Sequence, residues 1–294
     1  MSHPCFVDFD PVAFAIGPVQ VHWYGIMYLM SFFACWGAAE WRRRHGMFDT
    51  SRDELGDFVF YLMLGVIIGG RVGYMLFYVP VDWIWHDPLA LFRLQEGGMS
   101  FHGGLLGVLV AGWWWCRRSR RYFFDVVDFA APLVPIGLGL GRLGNFINGE
   151  LWGRHTELPW GMVFPRALQD DPRWAGSGLA QLRELWETGA LDAQARHPSP
   201  LYELLLEGVV MFAVLWWFSA RPRRRGAVSG LFALLYGSFR FLVEFVREPD
   251  EQLGFIAFGW LTMGQLLSLP LIVAGLFLLG WSRSQPRRGE TPRA

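Results

Sequence analysis

Gly141-Arg142-Leu143-Gly144-Asn145-Phe146-Ile147-Asn148-Gly149-Glu150 puts an arginine, two asparagines and a glutamate on the end of a long apolar segment. That segment, residues 126 to 147, is long enough to cross a hydrocarbon core of roughly 30 Å as a helix rising 1.5 Å per residue. A charge held inside a bilayer costs about 2.5 to 3.5 kcal/mol on insertion scales, so an arginine kept there faces a cavity, a partner or a polar ligand. The run therefore reads as the polar end of a membrane-spanning helix and as the place where chemistry is expected.

The rest of the chain agrees with a membrane protein. Of 294 residues 53% are hydrophobic and 17% aromatic, with only 18% charged, too apolar for a soluble chain of this length. The formal net charge of zero argues against a nucleic-acid binder. Every one of the 26 basic residues is arginine; without lysine, Schiff-base and Walker-type phosphate chemistry are excluded. Cys5, Cys35 and Cys116 lie apart without metal-ligand spacing and read as packing residues.

Hydropathy gives seven spans of about 20 residues, near 20–40, 57–79, 99–116, 126–147, 201–219, 228–246 and 260–281, so the expected fold is an all-α polytopic membrane protein with seven transmembrane helices. The arginine clusters 42–44, 117–121, 221–225 and the tail 282–294 all fall on one side, cytoplasmic by the positive-inside rule. The N-terminus is then outside. Residues 80–98, with Trp83, Trp85 and Phe92 beside charged residues, read as an arm lying on the outer interface. Residues 148–200, polar and rich in Pro and Gly, read as a small extracytoplasmic head with a helical stretch near Leu179 to Thr188, marginal as a free domain at about 50 residues.

Polar residues converge on the outer half of these spans. Arg142 and Asn145 are three residues apart and share a helical face. His102, within Gly97-Gly98-Met99-Ser100-Phe101-His102-Gly103-Gly104, starts the third span from the same side, its glycines permitting close approach of backbone or ligand. On the sixth span Tyr236, Arg240, Glu244 and Arg247 form one stripe. Arg240 and Glu244 could be a simple intrahelical pair, and Glu203 and Glu207 are expected as structural counter-ions of Arg142 and Arg240. Tyr24, in His22-Trp23-Tyr24-Gly25, is an interfacial aromatic or part of the site, and Arg71 is structural or joins the same cavity. Two or three guanidinium forks there match phosphate oxygens bidentately and cannot lose their charge, which makes an anion site.

These motifs resemble one family along nearly the whole chain, the prolipoprotein diacylglyceryl transferases of bacteria, most specifically in Gly141 to Glu150. Pro200 departs from the family, which usually has glutamine before Leu201-Tyr202-Glu203. The resemblance implies transfer of the diacylglyceryl group of phosphatidylglycerol to the lipobox cysteine thiol of a preprolipoprotein signal peptide, forming a thioether and releasing glycerol phosphate, the first step of lipoprotein maturation. It assigns Arg142 and Arg240 to phosphate binding and leaving-group stabilisation, and Asn145, Glu150 and Gly153 to the substrate site. Tyr24, Tyr236, Glu244 and Arg247 complete that site, and His102 is the conventional general base, histidine being the side chain that ordinarily titrates near neutrality.

No metal or cofactor is expected, since the histidines lack ligand spacing. The expected setting is the bacterial inner membrane, as a monomer among membrane lipid, with the N-terminus periplasmic and the C-terminus cytoplasmic. An anionic-lipid transporter or flippase is the main alternative, because arginines in a bundle also line substrate paths. An intramembrane protease using Ser100 near His102 is weaker, since the chain has no His-Glu-x-x-His and no Gly-x-Ser-x-Gly.

Overall fold

Apolar runs that cannot leave backbone groups unpaired in lipid must close their hydrogen bonds internally, and the described residues are mostly helical. The computed structural model describes residues 3–79, 91, 93, 98–169, 171–249 and 254–287. Among these, three helices are long and apolar enough to cross a membrane, or four if one bent pair counts as a single span. The tail beyond 287 and most of the 80–98 arm lie outside the described residues.

Element boundaries move from the expected ones for local reasons. The first span loses residues 20–22 to a hairpin of β2 (Val12–Ile16) and β3 (Val19–His22), which follow the short strand β1 (Cys5–Phe6). The hairpin turns at Gly17, whose φ of 59° suits glycine. Helix α1 is Trp23–Arg44. Helix α2, Arg52–Tyr78, begins five residues before the apolar run, because Ser51 and Glu54 form a reciprocal capping box. Helix α3 is Phe101–Arg118. The fourth span is two helices, α4 (Phe123–Ala130) and α5 (Val134–Ile147), bent by 44°. Pro132 and Pro135 fall at the break, where a proline cannot donate a backbone bond.

The fold is also not purely helical. Strand β4 (Met162–Val163) pairs in parallel with β1, giving two small sheets that apolar periodicity alone does not reveal. Helices α6 (Pro165–Gln169) and α7 (Leu179–Glu187) follow. Val163, Leu168, Leu182 and Leu191 pack into one small core, and Val7, Phe164 and Ala167 into another. Residues 148–200 thus draw their packing partly from the N-terminal strand. Helix α8, Ser199–Ser219, has a π-helical turn at Leu204–Val210, and α9 (Ala227–Val243) and α10 (Met263–Ser282) complete the chain.

The chain clusters into two compact units, one holding the residues up to Ala39 with Ala130–Pro286, the other Glu40–Phe129. In the second unit α2 and α3 meet along glycines. A Cβ built on Gly103 would lie 2.8 Å from Gly73 Cα, and one on Gly69 2.7 Å from Gly107 Cα. Lipid tails are as apolar as side chains, so close packing of small residues is what holds such a pair together. Gly103→Val forces two methyl groups into backbone and is expected to cost at least about 1–3 kcal/mol, read as a lower melting temperature in detergent; an unchanged melting temperature would show that this seam does not hold the pair.

Arg71 is buried on α2 and donates to the backbone carbonyls of Leu91, Arg93 and Gly98 at 3.3, 3.1 and 3.1 Å. It also lies over the Tyr74 ring at 5.7 Å. Of the two readings of Arg71, the structural one fits these contacts. Cys116 is buried as expected, whereas Cys5 is exposed on β1, because a two-residue strand at the edge of a small core has only one covered face.

Candidate functional site

Three apolar helices of the first unit end in charge at one place. Glu203 sits in the first turn of α8 and is almost fully buried at 1% exposure. Its carboxylate gathers three guanidinium groups. Arg142, near the end of α5, pairs through Nε with Glu203 Oε2. Arg240 Nη1, near the end of α9, donates to Glu203 Oε1 at 2.9 Å, and Arg247 Nη1 donates to the same oxygen at 3.1 Å. Without that carboxylate, three permanently charged groups would repel one another in a poorly screened place. The counter-ion role expected of Glu203 is what the geometry gives it.

Glu244 forms the second anchor. Arg240 Nη2 lies 2.9 Å from Glu244 Oε2, one helical turn away, and Thr262 Oγ1 donates to Glu244 Oε1 at 3.1 Å. Thr262 caps α10, its hydroxyl accepting from Gln265 N while Gln265 Oε1 accepts from Thr262 N. A Cβ on Gly264 would lie 2.6 Å from the Glu244 carboxyl carbon, so the carboxylate occupies the N-terminus of α10, where the helix dipole favours negative charge. Thr262 and Gly264 were not foreseen as site residues. Their signal was legible, since Thr262-Met263-Gly264-Gln265 is a capping-box pattern before an apolar run.

Backbone pairing sets the position of Arg247. Gly153 forms an antiparallel bridge with Arg247 and donates its N–H to His197 O at 2.8 Å. Any Cβ there would lie 2.7 Å from His197 Cβ, so Gly153 serves as a crossing point of backbones. Arg154 Nε then donates to Arg247 O at 2.9 Å and Nη2 to Glu244 O at 3.3 Å.

Asn145 and Glu150 belong to a separate polar group. Asn145 Nδ2 donates to Glu150 Oε2 at 3.4 Å, while Asn148 Nδ2 and Arg166 Nη1 each donate to Oε1 at 3.3 Å. Sharing a helical face with Arg142 did not give Asn145 the same partners. Tyr24 lies across Gly144, where an added Cβ would come within 2.8 Å of its ring, so it covers the stretch of α5 between Arg142 and Asn145. Tyr236, one turn before Arg240, stacks on Phe232 and packs against the core of Ala131, Met211, Leu215 and Val228.

His102 lies in the second unit, exposed on the first turn of α3. Two of its flanking glycines have another use: Gly103 packs against α2, and Gly98, at φ 81°, against the Tyr74 ring. At Gly98 and Gly103 the close approach that glycine permits is to the Tyr74 ring and to the backbone of α2. Ser100 is buried and caps α3, accepting from Gly103 N at 3.2 Å.

One further chain of contacts escaped the sequence reading. Trp160 Nε1 donates to Tyr202 Oη at 2.8 Å, leaving the Tyr202 proton for His197 Nδ1 at 3.1 Å. Burial pushes the His197 imidazole below its ordinary value and favours the neutral ring this bond needs. Pro200 fits where it stands. It falls in the first turn of α8, where no helical partner awaits an N–H.

Comparison with known proteins agrees over the same residues. The family model for prolipoprotein diacylglyceryl transferase matches residues 11–281. A protein of Xanthomonas euvesicatoria pv. vesicatoria named phosphatidylglycerol--prolipoprotein diacylglyceryl transferase is 59% identical over 278 residues, 94% of this chain and 92% of the relative. One of the same name from Xanthomonas campestris pv. campestris is 61% identical with the same coverage.

Proposed function

We propose, since the chain belongs to the prolipoprotein diacylglyceryl transferase family, that it is a transferase moving the diacylglyceryl group of phosphatidylglycerol onto the lipobox cysteine of preprolipoproteins. The observation that carries this at the level of chemistry is the set of Arg142, Arg240 and Arg247 on one buried carboxylate at the ends of apolar helices. Such a cluster suits a headgroup that must be held at the membrane surface by its phosphate.

The charge changes define what the site must do. A phosphodiester carries one negative charge. A thioether forms when the cysteine sulfur attacks the glyceryl carbon and the carbon–oxygen bond to phosphate breaks. The electron pair goes to oxygen, glycerol phosphate leaves with two negative charges, and the thiol gives up its proton. Preorganised guanidinium donors aimed at the phosphate stabilise the leaving group more than the bound lipid, which is what acceleration requires. Arg142 and Arg240 take that role, with Arg247, Glu244 and Tyr236 as their supports. Tyr24, Asn145, Glu150 and Gly153 shape the flank.

A guanidinium group close to the incoming sulfur would lower the thiol pKa from about 8.5. His102 is the proposed base on its chemistry and on the family resemblance. A pH–rate profile of His102→Gln against the wild type tests it: a general base predicts a loss of about 10²- to 10⁴-fold at neutral pH, shrinking as pH rises and thiolate forms unaided. Near-normal rates at neutral pH would remove the assignment.

The finer setting belongs to the same proposal: a monomer of seven spans in the bacterial inner membrane, N-terminus and head periplasmic, C-terminus cytoplasmic. Incubating purified protein with phosphatidylglycerol and a lipobox peptide tests the reaction. The expected result is a peptide heavier by one diacylglyceryl unit; an unmodified peptide together with lipid movement across vesicles favours a transporter.

A further inference from the structure

The arginine cluster contains a carboxylate whose contacts differ from those of its neighbours. Arg142, Arg240 and Arg247 have Glu203, Glu207 and Glu244 as their ion partners, so with every group ionised this ion-paired set is neutral; Arg154 stands outside it, on the backbone carbonyls of Arg247 and Glu244. An anionic headgroup entering it would leave a buried excess of negative charge, which is costly. Two of the carboxylates are firmly held. Glu203 carries three guanidinium contacts, and Glu244 has Arg240, the Thr262 hydroxyl and the end of α10.

Glu207 is different. It is 0% exposed, neither of its oxygens has a hydrogen-bond partner among the described residues, and its one ion contact is Arg142 Nη2 at 3.9 Å. It sits on the π-helical turn Leu204–Val210, a local geometry that recurs at functional sites. That turn is pinned to α5, since a Cβ on Gly208 would come within 2.8 Å of Gly139 Cα. The charged and titratable groups facing Glu207 are Arg142 from α5, Glu203 on its own helix, Tyr236 and Arg240 from α9, and Arg247 beyond it. A carboxylate so poorly bonded is the one whose charge the cluster gives up at least cost.

We propose that Glu207 takes up one proton when a phosphodiester headgroup binds the arginines, so that lipid binding here is coupled to protonation. A solvent proton bonds to a Glu207 oxygen, Arg142 Nη2 turns its donors to a phosphate oxygen, and the cluster with its lipid stays neutral. This rests on the headgroup reading above and goes beyond it by naming the group that balances the charge.

The linkage has a defined sign. Affinity is highest below the free-state pKa of Glu207, weakens up to about tenfold per pH unit between the free and lipid-bound values, and levels off above them. The test is calorimetric titration of short-chain dihexanoylphosphatidylglycerol into the full chain in detergent, in buffers of differing ionisation enthalpy, across about pH 5 to 9. The wild type is expected to take up as much as about one proton per lipid within the sloping window, and Glu207→Gln none, with an affinity flat in pH. Binding by the wild type without proton uptake at any pH overturns the proposal, as does unchanged uptake in Glu207→Gln. The wild-type arm decides even where the variant fails to fold. No lipid binding at any pH defeats the headgroup reading itself, a separate outcome from binding without protons.

Discussion

Glu203→Gln is expected to reduce diacylglyceryl transfer by at least about a hundredfold and to lower the yield of folded protein. The amide keeps the size of the side chain but removes the charge that Arg142, Arg240 and Arg247 share. Removing one partner of a buried ion pair typically costs about 3–5 kcal/mol, because the other charge stays buried. Here three charges lose their common partner. Residual order would come from Glu244 on Arg240, and Arg142 would keep only its long contact with Glu207. The check is initial rate with a lipobox peptide on material that elutes as a single species. A Glu203→Gln enzyme of near wild-type rate would mean that the arginines are held by something other than this carboxylate.

Arg142→Ala separates catalysis from architecture. Glu203 retains Arg240 and Arg247 in this variant, so the protein is expected to insert and fold. Loss of one preorganised donor to developing charge costs about 10²- to 10³-fold in kcat. Since the leaving phosphate gains a charge that the bound lipid lacks, kcat is expected to fall by more than KM rises. Arg142→Lys keeps the charge and loses the planar fork, and recovers only part of the rate. A rise in KM with kcat intact would reduce Arg142 to a binding residue; substantial transfer by Arg142→Ala would refute both roles.

Much of this was legible in the residues. Apolar runs located the helices, and the convergence of Arg142, Glu203 and Arg240 followed from charges that lipid cannot accommodate singly. What stayed hidden has physical reasons. The hairpin Val12–His22 is too short for its alternation to stand out beside an apolar helix, and β1 pairs with β4 across more than half of the chain. Helical spacing put Asn145 beside Arg142, yet spacing shows which residues share a face, not which partner each finds, and Asn145 bonds Glu150. Glycines around His102 looked like room for a ligand, while Gly103 serves a helix seam, because close approach of backbone and close approach of substrate demand the same residue. The π turn under Glu207 has no sequence signal, since its apolar residues would fit an α-helix equally well.

The most direct test of the central claim, that the arginines gathered on Glu203 hold the lipid phosphate, is a structure of the full chain with phosphatidylglycerol bound. The account predicts the phosphorus between Arg142 and Arg240, with phosphate oxygens within hydrogen-bond reach of both guanidinium groups. Phosphorus density elsewhere, with Arg142 and Arg240 still paired only to Glu203, would contradict it.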